Sequence, residues 1–171
     1  MAEDQAKLEQ SQREKPLSFF AMVMTIGFVG GLVWSTIAYF AYIFNFTEIR
    51  PNVIIEPWTI GAWKEQWLGT VISIILMGLI SIGAAILYYS TLRKFNNLYV
   101  GMLYGVLLFL LVFLVLNPIF PGIRPFTELP RMTIITSVCI YILYGVFVGY
   151  SISYEENEIR KIESKKSQVA S

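Results

Sequence analysis

The chain has 171 residues, 56% of them hydrophobic and 15% charged, with a net charge of +1. Soluble domains carry roughly 25% charged residues, so a chain this apolar must bury surface in something besides its own core. So small a net charge gives no field for nucleic acid. With no histidine and a single cysteine, Cys139, the common zinc ligand sets and an internal disulfide are excluded.

Residues 1–16 form a polar tail of mixed charge. Four charge-free stretches follow. Each is long enough for an α-helix to cross about 30 Å of hydrocarbon, which takes roughly 20 residues. Backbone groups in lipid must bond within their own segment, so these stretches read as helices. They are apolar on every face and lack the alternation of barrel strands. The first span covers about 17–44. It is too long for a signal-peptide core of about 7–15 residues and reads as a retained anchor.

The first loop, 45–67, opens with "NFTEIRPN" and closes with "EPWTIGAWKEQW". Trp58, Trp63 and Trp67 suit an aromatic belt, with ring bodies among headgroups and N–H groups toward water. Asn45-Phe46-Thr47 fits a glycosylation pattern but abuts a span, so it carries little weight. The second span, about 68–92, leads into the basic turn "LRKFNN", which sets spans two and three antiparallel. The third, about 98–117, stops at Asn117-Pro118. The second loop, 118–131, contains "GIRPFTELPR" and cannot cross lipid, because its proline-rich backbone leaves bonds unmade. The fourth span, about 132–154, runs into a charged tail, 155–171.

Lysine and arginine distribution orients the spans. Lys7, Arg13, Lys15, Arg93, Lys94, Arg160, Lys161, Lys165 and Lys166 lie on one side; Arg50, Lys64, Arg124 and Arg131 lie on the other. The bias places both termini in the cytoplasm and both long loops outside. The chain then divides into two span–loop–span halves. Each first helix ends at an asparagine, Asn45 or Asn117, and each loop holds Ile-Arg-Pro and Phe-Thr-Glu, in opposite order. The pattern is that of two duplicated helical hairpins related by an axis along the membrane normal, or of two border loops alike by chance. The fold class expected is all-α: a polytopic four-helix transmembrane bundle.

Arg50, Glu56, Arg124, Glu128 and Arg131 are the candidate site. Charges at the lipid–water border attract more strongly than in bulk water. Arg50 with Glu56, Arg124 with Glu128, Glu128 with Arg131, or one loop with the other would form a clamp. The competing reading makes the arginines an anion or lipid-headgroup site, since guanidinium bonds phosphate bidentately. Within the spans, pairs of glycines four apart — Gly27 and Gly31, Gly101 and Gly105, Gly145 and Gly149 — let backbones approach closely. The spans hold no ionisable Asp, Glu, Lys or Arg, which argues against an ion-coupled path. Without histidine, a serine or cysteine nucleophile lacks its usual base, so no catalytic residues, cofactor or metal are expected.

The blocks "GFVGGLVWSTIAYFAYIFNF", "LGTVISIILMGLISIGAAILYY", "LNPIFPGIRPFTEL" and "CIYILYGVFVGYSISYE" resemble the YqhR family of conserved membrane proteins of Gram-positive spore-forming bacteria. The resemblance covers the chain apart from its tails. It implies a four-span protein of the bacterial plasma membrane, linked to sporulation-related membranes, and assigns no catalytic or cofactor residues. The function expected from the residues is non-enzymatic: an assembly or interaction protein whose outer loops contact membrane lipids, another copy or another membrane protein. The alternative is a small oligomeric carrier or channel for a lipid or an uncharged or anionic solute.

Overall fold

A computed structural model describes residues 19–58, 61, 66–92, 97–120 and 123–169, with side chains as far as Asn157 apart from that of Pro118. The described residues fold into four long helices with short 3₁₀ turns between them and no strand: α1 (Phe19–Ile43), α2 (Trp67–Leu92), α3 (Leu98–Leu110) and α4 (Arg131–Val169). Each contains or continues into a segment long and apolar enough to cross a membrane: Phe19–Ile43, Trp67–Leu92, Leu98–Leu116 and Arg131–Asn157. The N-terminal tail, Trp63 and the turn at Arg93 and Lys94 lie outside the described residues.

Helix ends follow local chemistry. Helix α1 closes in a Schellman motif: Asn45 N–H donates to Tyr42 O at 3.0 Å and Phe46 N–H to Ala41 O at 2.8 Å. The motif needs a left-handed residue, and Asn45 supplies it with φ +59°. Asparagine tolerates that region better than any side chain but glycine. Helix α3 is capped by Asn97, whose side chain accepts from Tyr99 N–H at 3.3 Å. Its far end differs from the simple stop expected before Pro118. The chain widens into a π-helix over Leu111–Leu116, then tightens into a 3₁₀ turn over Asn117–Ile119. Proline has no N–H to continue an α-helical ladder and its ring crowds the carbonyl one turn back, so the regular helix cannot run through this stretch. Helix α4 runs 39 residues without a break, about 58 Å at ~1.5 Å per residue. The helix therefore continues past the span limit expected near 154, through the charged tail to Val169.

Packing divides the bundle into two hairpins, α1 on α2 and α3 on α4, with α1 and α4 joining the pair. Glycines set both contacts. A Cβ on Gly27 would stand 2.7 Å from the Ala85 Cβ, and one on Gly31 would stand 2.7 Å from the Gly78 Cα. Gly101, Gly105 and Gly145 meet backbone to backbone, and Gly149 faces the Tyr88 hydroxyl. Lipid offers no hydrophobic drive between helices, so this close approach supplies dispersion contact instead. Helices α2 and α3, consecutive and antiparallel, meet differently: the Tyr88 and Tyr104 rings pack edge to face at 5.1 Å, and Tyr104 Oη donates to Ala84 O at 2.6 Å.

A buried polar junction at Ser81 also joins the two hairpins. Ser81 Oγ donates to Gly27 O at 2.7 Å and lies 2.6 Å from Tyr144 Oη. With the serine proton engaged, Tyr144 donates. The junction thus ties α1, α2 and α4. Four further span hydroxyls bond their own helices: Thr25 to Ala21 O, Ser35 and Thr36 to Leu32 O, and Ser73 to Gly69 O.

Candidate functional site

Both loops lie at the same end of the bundle. There Arg124 Nη1 of the second loop meets Glu48 Oε2 of the first at 3.6 Å, both side chains more than half exposed. The Glu48 N–H donates to Thr133 Oγ1 at 3.2 Å in the first turn of α4, and Thr133 is almost completely buried. Thr47 is buried beside it and accepts from Ile49 N–H at 3.2 Å, turning the chain toward Arg50. Next, Pro51–Ile55 forms a 3₁₀ helix packed against α2, where buried Thr70 Oγ1 donates to Asn52 Oδ1 at 2.9 Å. Proline at the first position presets the turn.

Of the pairings expected for the charged residues, the loop-to-loop one is present, and its acid is Glu48. Among the described residues neither Glu56 nor Glu128 forms an ion pair. Arg50 lies over the Tyr42 ring, 5.1 Å from its centroid, a cation–π contact. Its Nε is buried without a hydrogen-bond partner. Arg131 opens α4 on the exposed side, with no acid in that first turn. Trp58 and Trp67 are 81% and 74% exposed, leaving both rings open to the surroundings at this end.

The two asparagines at matching sequence positions have different tasks. Asn45 is an exposed helix stop, whereas Asn117 is buried and its Nδ2 donates to Arg124 O at 3.2 Å. That bond pins the second loop back over the end of the third span. Beneath it lies an open groove of about 370 Å³. Phe113 and Leu114 form one wall; Ile123, Pro125 and Phe126 form the other; Asn117 is its polar member. The first wall is braced by Phe109 stacked on Phe113 at 4.6 Å, and Phe126 packs edge to face on both rings.

Glu48, Thr133, Asn52 and Thr70 belong to the site although the candidate set did not include them. Glu48 lies in the same Phe-Thr-Glu phrase that flags Glu128, so a signal existed. Thr70 and Thr133 open the second helix of each half alike, and both bond the first loop.

These features define a polytopic α-helical membrane protein of four spans. The chain belongs to the YqhR family, described as conserved membrane protein YqhR, whose model matches residues 3–167. It is 55% identical over 152 residues to the Bacillus subtilis (strain 168) protein named "Uncharacterized protein YqhR", covering 88% of this chain and 85% of that one. No solved structure matches the chain.

Proposed function

We infer that this protein is a non-catalytic assembly or interaction protein of the bacterial plasma membrane. Its termini lie in the cytoplasm and its loop end contacts lipid headgroups or a membrane partner. The observation that carries this reading is the cap joining the two loops. Glu48 takes Arg124 through its side chain and Thr133 through its N–H, so charges from two separate hairpins meet at one exposed end. The pairing is exposed, and exposed ion pairs contribute only about 0.2–1 kcal/mol. So weak a pair does little for stability, and the exposed guanidinium remains open to contact with something outside the chain. The span hydroxyls favour the same reading over a carrier. Thr25, Ser35, Thr36, Ser73 and Ser81 donate to backbone carbonyls instead of lining a polar path.

Photo-crosslinking from Thr127, exposed on the second loop, tests this in native membranes. The unsubstituted cap is expected to give discrete lipid or protein adducts. Arg124→Ala is expected to lose them while its unfolding free energy in detergent changes by less than about 1 kcal/mol. Adducts unaltered by the substitution would remove the cap from the function.

A further inference from the structure

We propose that the groove at the loop end of the third span holds one acyl chain of an anionic phospholipid whose phosphate is engaged by Arg124. The proposal rests on the headgroup-contact reading above and gives it a ligand class.

The groove's lining is apolar and aromatic apart from Asn117. Water would gain little there, and an apolar chain would bury itself at roughly 25 cal/mol per Å². Its position supplies that chain. The groove begins at Phe113 and Leu114, in the last turns of a segment that crosses hydrocarbon, and ends in the loop, where headgroups begin. Leu111, Leu114 and Val115 on the same stretch are 46%, 55% and 65% exposed. The groove therefore opens onto a face that the bilayer itself covers. Its walls are held before any ligand arrives, by the Phe109–Phe113–Phe126 ring contacts and the Asn117 bond to Arg124 O. Preformed walls reduce the ordering cost of binding.

Charge selects the headgroup. Ile123 and Pro125 both line the groove, and the Arg124 backbone O between them accepts from the groove's Asn117, so Arg124 borders the groove while its guanidinium reaches the Glu48 side. The described pairing with Glu48 uses Nη1 at 3.6 Å. A guanidinium has five N–H donors in a planar fork, leaving others for phosphate. Arg131 starts α4 nearby in sequence, and no acid in that first turn opposes it.

The test uses the full-length protein in vesicles of phosphatidylcholine and phosphatidylglycerol, doped with phosphatidylglycerol bearing a photoreactive acyl chain. Adducts are mapped by mass spectrometry. They should concentrate on residues 113–126; an even spread over the lipid-facing surfaces of all four helices would overturn the proposal. Lipid retained through detergent purification gives the second readout. Leu114→Trp and Ile123→Trp, each filling the groove, should cut retained phospholipid at least about tenfold. Arg124→Gln should keep bound phospholipid but lose the preference for phosphatidylglycerol over phosphatidylcholine. Retention equal to the unsubstituted protein in both filled variants overturns the acyl-chain assignment, and a persisting preference in Arg124→Gln overturns the headgroup assignment. If Thr127 crosslinks survive in the filled variants, the interaction reading stands without the groove. If those crosslinks are absent while adducts map to the groove, the groove stands without it.

Discussion

A single methyl group distinguishes the glycines of this protein. Gly145 meets Gly101 and Gly105 backbone directly, whereas a Cβ on Gly83 would meet nothing within 4 Å. Overpacking a close contact typically costs about 1–3 kcal/mol. Gly83→Ala carries no clash and gains helix propensity, worth up to about 1 kcal/mol. Gly145→Ala should therefore lower the detergent unfolding midpoint while Gly83→Ala leaves it level or raises it. Equal midpoints for the two would mean that the α3–α4 approach is looser than described. The i, i+4 spacing in sequence picked out Gly101, Gly105, Gly145 and Gly149. It did not say which helix each would meet, because spacing fixes a face and not its partner.

At the scale of elements, the ends of the helices were less legible than their middles. The third span's stop at Asn117-Pro118 was readable from proline's missing donor, but the π-helix over Leu111–Leu116 was not. Apolar periodicity is the same for a helix wound slightly wide. Asn45 and Asn117 look equivalent in sequence, yet one closes a Schellman motif and the other pins a loop. The difference is testable at Asn45. Asn45→Gly should unfold at or above the temperature of the unsubstituted protein, since glycine adopts φ +59° freely. Asn45→Val, with a branched Cβ in a left-handed site, should cost about 1–2 kcal/mol. A valine variant as stable as the glycine one would show that the helix end frays and does not depend on that conformation.

At the scale of the whole molecule, the loop end and the termini end differ in kind. The loop end carries Glu48, Arg124 and two exposed tryptophans; at the opposite end α4 runs on past Tyr154. The positive-inside bias predicts which side is which. With Cys139 replaced, Thr127→Cys should react with a membrane-impermeant maleimide in intact cells. Labelling only after the membrane is broken would invert the topology and put the charged cap in the cytoplasm.

The number of spans, their approximate limits and the absence of a histidine-based site were determined by the sequence alone. Hydrocarbon thickness and unmet backbone bonds leave a charge-free run of that length one solution. What tertiary structure decided was pairing. Glu48 and Arg124 are far apart along the chain, and in sequence either arginine had several loop acids to choose from. The choice among them depends on where Thr133 anchors the first loop and Asn117 the second. Such contacts arise only when two hairpins dock, because no local periodicity encodes the distance between residues on different helices.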